Sequence, residues 1–141
     1  MRGLQLAGRG TESIRPPTSG QVTILGEVEE AAGFIRSLSV FLYPVTRGSG
    51  MKVKVLEALA CGVPVVTTPE GADGIGAHDG IVVETTDERL AAAAAELLGD
   101  PVARKDRGAA ARRLFQERFT PGVATQPLVS AYERMVRRGY G

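Results

Sequence analysis

The sequence predicts an α/β fold, a Rossmann-like parallel sheet with helices on both faces. Three observations predict it. Short apolar, β-prone runs alternate with longer stretches whose apolar residues recur at helical spacing. Glycine turns follow several of those runs, as at Gly8-Arg9-Gly10 and Gly48-Ser49-Gly50. The later helical stretches open on cap-and-proline signals. Strands that alternate with helices join by right-handed crossovers, and such sheets bind ligands at the carboxyl ends of their strands.

The elements follow in order. Leu4 to Ala7 read as a first strand running into a glycine turn. Residues 11–20, with Pro16, Pro17, Ser19 and Gly20, read as an exposed loop. Val22 to Leu25 form a second strand ending at Gly26. Glu29 to Leu38 carry Phe34, Ile35 and Leu38 at helical spacing behind acids that suit a helix N-terminus. Val40-Phe41-Leu42-Tyr43, stopped by Pro44, reads as a buried third strand. A helix is expected from about Met51 to Ala60, with Gly62 closing it in the left-handed region. Val63 to Thr67 form a fourth strand with Pro64 near its start. Gly71, Gly74 and Gly76 mark another loop, and Ile81-Val82-Val83 a short fifth strand.

The remainder reads as helix, the last two helices spanning about residues 101–138. Thr86 caps a helix whose Leu90, Ala94, Leu97 and Leu98 share a face. Asp100-Pro101 starts the next, which presents Ala110, Ala111, Leu114 and Phe115. Thr120-Pro121 repeats the signal, and at Pro127 the last helix is expected to kink or begin. Leu128, Ala131, Tyr132 and Met135 then line one face.

Composition narrows the function. The 141 residues suit a single domain, with 43% hydrophobic and 23% charged residues. A formal net charge of +1 argues against a nucleic-acid partner held by phosphate attraction. No apolar run approaches bilayer length. One cysteine, Cys61, and one histidine, His78, exclude an internal disulfide, a cysteine zinc site and a His-rich metal site, so no metal is expected. Arg2 and Arg9 are not followed by an apolar signal core, so a cytoplasmic chain is expected. Charge is unevenly placed: residues 1–99 carry −4 and residues 100–141 carry +5. Arg104, Lys105, Arg107, Arg112, Arg113 and Arg118 lie in one expected helix. They read as a solvated face, and otherwise as a contact for an anionic membrane surface.

The most informative stretch is Tyr43 to Glu57, YPVTRGSGMKVKVLE. A strand ends, glycines let the backbone turn tightly, and a helix begins with its free N–H groups pointing back into the turn. Those amides and the helix dipole form an anion site suited to a diphosphate, with Arg47 and Lys52 beside it. Glu57 lies seven residues after Gly50, nearly two helical turns, and so on the same helix face about 10 Å further along. A carboxylate there suits a ribose diol. The dinucleotide pattern GxGxxG fails, since Val53 holds its third glycine place, and the Walker pattern is absent.

The run GSGMKVKVLEALACGVPVVTTPEGADGI resembles the signature of retaining GT-B glycosyltransferases of the group 1 (family 4) type. Those enzymes carry G-x-G-x-x-x-K-x-L-E-A-x-A-x-G-x-P-V-V and then a Gly-Ala-Glu-Gly-like loop, here Gly71-Ala72-Asp73-Gly74. LQLAGRG, VTILGEVEE, SVFLYPV and FTPGVATQPLVSAYERM resemble further landmarks in the family's order. The likeness covers most of residues 4–136.

The resemblance implies that residues 1–141 are a single truncated donor-binding domain, one half of a GT-B fold. It implies that Ser49, Gly50, Met51 and Lys52 hold the diphosphate of a UDP-, GDP- or other nucleotide sugar. Glu57 would bind the ribose, and Gly26, Glu27 and Val28 would border the base. No cofactor and no metal are implied, and no catalytic residue is assigned. Many members carry a first Glu eight positions before the second, where this chain has Ser49. The family's upstream Arg and Lys, and its acceptor domain, have no counterpart here. Transfer is therefore expected to need an acceptor domain or a partner chain. A second reading is an inactive interaction or regulatory module of the same fold. A third is another nucleotide-sugar enzyme, such as an epimerase. By themselves, Cys61 reads as a small packed side chain and His78 as a surface residue. Glu57 alone reads as a surface acid pairing with Lys54. Glu70 and Asp73 read equally as ligand contacts or solvated acids.

Overall fold

Val65-Val66-Thr67 is a run of β-branched residues, which favour strands, and each of the three is 0% exposed. In this computed structural model, which describes residues 3–16 and 20–138, it is a central strand. The elements are β1 (Leu4–Ala7), β2 (Val22–Gly26), α1 (Ala31–Arg36), β3 (Phe41–Tyr43), α2 (Val53–Cys61), β4 (Val65–Thr67), β5 (Ile81–Val83), α3 (Asp87–Gly99), α4 (Pro101–Arg118) and α5 (Pro121–Arg137). The chain divides into two compact units, Met1–Phe34 and Ile35–Gly141.

The fold is α/β with parallel strands and flanking helices, as expected. Among the described residues the strands form two ladders, β1-β2 and β3-β4-β5. In the first unit, Leu4 to Leu6 pair in parallel with Val22 to Ile24, and the register shifts before Ala7. The Gly8 amide donates to the Gly26 carbonyl at 2.7 Å. Residues expected as loop contain a 3-10 turn at Thr11–Ser13, anchored by the Thr11 hydroxyl on the Gly8 carbonyl. Arg2, Pro17 and Ser19 lie outside the described residues. Helix α1 is shorter than its apolar spacing suggested. Glu29 and Glu30 precede it, and Glu30 Oε1 accepts from the Gly33 amide at 3.0 Å.

In the second unit, β4 runs between β3 and β5 in parallel register, Leu42 beside Val66 and Val66 beside Val82. Alternation sends Val66 to one face of the ladder and Val65 and Thr67 to the other. Val66 packs with Leu90 and Leu97 of α3, and Leu42, Val82 and Ala94 close around them. Helix α2 also contacts β4, with Val55, Ala58 and Leu59 fully buried outside that cluster. The third strand is half-buried, not buried: it starts at Phe41 and is an edge of its ladder. Leu98 is exposed although it shares the expected α3 stripe, because Leu90 and Leu97 fill the contact with β4.

The start signals hold for all three helices, which begin at Asp87, Pro101 and Pro121. Thr86 Oγ1 accepts from the Arg89 amide, and Asp100 Oδ1 accepts from the amides of Val102 and Ala103. Thr120 makes no side-chain cap. Helix α5 runs through Pro127 although proline supplies no N–H to the preceding turn, so of the two expectations the helix does not begin there. Its expected face is exposed: Leu128, Tyr132 and Met135 are not buried, although α5 contacts α4.

Two glycines let α4 approach the rest of the unit. A Cβ at Gly80 would sit 2.5 Å from the Ala111 backbone, and one at Gly108 would collide with the Gly62 carbonyl. Gly62 closes α2 at φ 70°, as expected. Gly80→Ala forces α4 away from β5 and is expected to cost about 1–3 kcal/mol in urea unfolding. Gly99→Ala, with nothing within 4 Å of the added methyl, is the control and leaves stability unchanged or slightly raised.

Candidate functional site

The loops that leave β3 and β4 start at the carboxyl ends of two neighbouring parallel strands, where α/β sheets place ligands. Two buried threonines fix them. Thr67 Oγ1 donates to the Tyr43 carbonyl at 2.6 Å, and Thr68 Oγ1 donates to the Val45 carbonyl. Thr68 Oγ1 also accepts from the Gly71 amide at 3.1 Å. Gly71 is obligatory, because a side chain there would collide with the Thr67 hydroxyl. The turn continues with the amides of Ile75 and Gly76 on the Ala72 carbonyl, and Ala72 and Ile75 are buried beneath it.

The glycine turn before α2 needs its glycines: φ is 98° at Gly48 and 80° at Gly50. The helix begins at Val53, two residues later than expected, with Lys52 as its extended N-cap at φ −89°, ψ 109°. Gly50 is therefore not on the helix face that carries Glu57, because its left-handed φ cannot continue an α-helix. Glu57 lies about 6 Å along the axis from the first helical residue. A lysine side chain accepts no hydrogen bond, and no side chain caps α2. The amides of Val53 and Lys54 have no intrahelical carbonyl to reach, which leaves the positive end of the helix open toward the turn.

Of the expected diphosphate residues, Ser49, Gly50 and Met51 are exposed and Lys52 is half-buried. Lys52 Nζ folds back onto the carbonyls of Gly50 at 2.7 Å and Gly48 at 3.2 Å, which brings its charge into the turn. The Gly50 amide already has a partner: it donates to Asp73 Oδ2 at 2.7 Å. This bond is neither the ligand contact nor the solvated acid that the sequence suggests for Asp73. The signal was the Gly-Ala-Asp-Gly loop itself, but only pairing of β3 with β4 brings it to Gly50. Glu57 Oε2 pairs with Lys54 Nζ at 2.9 Å, the pairing expected of a plain helix-surface acid. Its side chain is 34% exposed, and such an exposed pair is weak enough to yield to a ligand.

Gly26, Glu27 and Val28 belong to the first unit. Gly26 is buried at φ 67°, and the exposed Glu27 faces Arg9 at 3.4 Å. His78 is half-buried, and its Nδ1 accepts from the Gly80 amide. Among the described residues, no three His, Cys, Asp or Glu side chains gather in a metal-binding group.

Residues 3–100 match the family model described as "Glycosyl transferases group 1". The chain belongs to the group 1 glycosyltransferases. Within that family it is 36% identical, over 86% of its length, to a GDP-mannose-dependent monoacylated alpha-(1-6)-phosphatidylinositol monomannoside mannosyltransferase of Corynebacterium glutamicum. It is 25% identical, over 78% of its length, to an uncharacterized glycosyltransferase of Methanocaldococcus jannaschii. The chain spans 38% and 29% of those two relatives. Its fold matches that of WaaG, a glycosyltransferase involved in lipopolysaccharide biosynthesis, with a TM-score of 0.63 at 17% identity. That match covers 91% of this chain and 36% of WaaG. The group 1 assignment thus rests on the segment that contains both ladders and the glycine turn.

The threonine clamp is testable apart from any ligand. Thr68→Val keeps the shape but leaves the Val45 carbonyl and the Gly71 amide unpaired in a site 4% exposed. It is expected to lower unfolding free energy by about 1–3 kcal/mol in denaturant titration.

Proposed function

We propose that this group 1 glycosyltransferase segment is the donor-binding part of the enzyme, and that it holds the diphosphate of a nucleotide sugar at the turn Ser49–Lys52. The observation that carries the reading is an uncapped helix N-terminus directly after a glycine turn, at the carboxyl end of β3, with the Lys52 ammonium folded into it. Phosphate oxygens accept from such amides, and the helix dipole and Lys52 offset their charge. Glu57 exchanges Lys54 for the ribose hydroxyls. No step of sugar transfer is assigned to any residue.

The chain spans less than two-fifths of its relatives, so transfer itself is proposed to need an acceptor-binding part, on the same polypeptide or on a partner. The GDP-mannose named for the corynebacterial relative makes GDP the first probe and UDP the second. That relative's lipid acceptor fits a segment working at a membrane face, although no helix among the described residues is long and apolar enough to cross one. Arg112 and Arg118 are exposed but donate to backbone carbonyls, so Lys105 and Arg113 are the exposed α4 cations proposed for such a contact.

Millimolar GDP is expected to raise the melting temperature of the chain. Glu57→Ala should remove most of that shift and weaken binding about 10- to 100-fold, the scale of one hydrogen bond to a charged acceptor. Lys54→Ala removes the same ion pair but leaves the shift in place. Absence of a shift with both GDP and UDP, or an unchanged shift in Glu57→Ala, rejects the reading.

A further inference from the structure

We propose that Asp73 is the resident anion of the nucleotide-free glycine turn and sets donor affinity by competing with the diphosphate for the Gly50 amide. The inference rests on the diphosphate reading above. Its own observation is the 2.7 Å bond from the Gly50 amide to Asp73 Oδ2, made across 23 residues of sequence.

Several facts make this more than a passing contact of a surface acid. Asp73 is exposed, but the backbone beneath it is tightly held. Gly71 is fixed by Thr68 Oγ1, the Ala72 amide by the Thr68 carbonyl, and Ala72 and Ile75 are buried on either side. Gly74, at φ 74°, lets the turn approach Met51: an added Cβ would lie 3.4 Å from the Met51 Cβ and Cε. The carboxylate is thus presented to the glycine turn by a rigid arm. Lys52 Nζ, bonded to the Gly50 carbonyl, holds the same peptide segment from its other side.

A carboxylate and a phosphate oxygen are both acceptors only, and one N–H serves one of them well. A diphosphate arriving at Gly50 displaces Asp73 Oδ2 or meets a second negative charge within a few ångströms. Either way the nucleotide binds more weakly than the turn alone would allow. The repulsion grows with ligand charge, so Asp73 weakens a diphosphate more than a lone phosphate.

The test is isothermal titration of GDP, GMP and inorganic phosphate into the wild-type chain, Asp73→Asn and Asp73→Ala. Amide spectra of the Gly50 N–H are recorded alongside. Because the side chain is exposed, both variants are expected to fold, and thermal unfolding checks this. In the absence of ligand the Gly50 amide resonance should move in Asp73→Ala. GDP should bind about fivefold more tightly to both variants, with a smaller gain at high salt. The ratio of GDP to GMP affinity should rise, because the more highly charged ligand gains more. Tightening in Asp73→Ala alone supports competition through the hydrogen bond rather than through charge. Equal or weaker GDP binding in both variants overturns the proposal, since Asp73 then braces the turn. If wild-type binding depends on Glu57 but ignores Asp73, the donor-site reading stands and this inference fails. No binding of GDP to any of the three proteins, together with no thermal shift of the wild-type chain by UDP, overturns both.

Discussion

Thr67 and Thr68 are the constraint on which the arrangement of the candidate site depends. Thr67 ends the central strand and Thr68 follows it, both are buried, and each hydroxyl reaches a carbonyl in or just after the neighbouring strand. A buried hydroxyl without a partner is costly, so their bonds fix the positions of both loops. Tyr43 and Val45, at the start of the glycine turn, are held against Gly71 and Ala72, at the start of the acidic turn. Parallel pairing makes this possible, because it puts both loops at the same end of the ladder. The Gly50–Asp73 bond is the outcome.

Much of the basic C-terminal segment is used inwardly. Four of the α4 arginines donate to backbone carbonyls of the same unit. Arg104 reaches Leu97 and Leu98 at the end of α3, and Arg112 reaches Ala60 near the end of α2. Arg107 and Arg118 reach Asp79 and Ile75 in the loop between β4 and β5. Helix C-termini leave carbonyls without intrahelical donors, and a guanidinium suits them in charge and shape. A solvated face and a membrane-facing patch were the two readings of these residues from sequence. The structure adds a third use for four of them, which is to tie α4 to the elements it covers.

Much of the candidate site was readable along the chain because it is local. The glycine turn, the closing role of Gly62 and the caps at Thr86 and Asp100 each depend on residues within a few positions of one another. The errors have the same origin. Met51 and Lys52 have ordinary helix propensity, so periodicity extended α2 back to them, but Gly50 holds a left-handed conformation and Lys52 stays extended. The apolar run at Val40–Tyr43 resembled a buried strand because hydrophobicity does not distinguish a central strand from an edge. Leu98 and the α5 residues Leu128, Tyr132 and Met135 have helical spacing that says which residues share a face, but not whether that face meets anything.

The sequence by itself determined the α/β class, the order of the elements, the family and the glycine turn that opens α2. These follow from short-range conformational preference and from residues at set spacing. Only the tertiary structure decided that the strands form two ladders, that Asp73 sits on the Gly50 amide, and that four arginines of α4 serve backbone carbonyls. Each of these joins residues from separate elements, and the pairing of strands and packing of helices that bring them together leave no periodic signal in the chain.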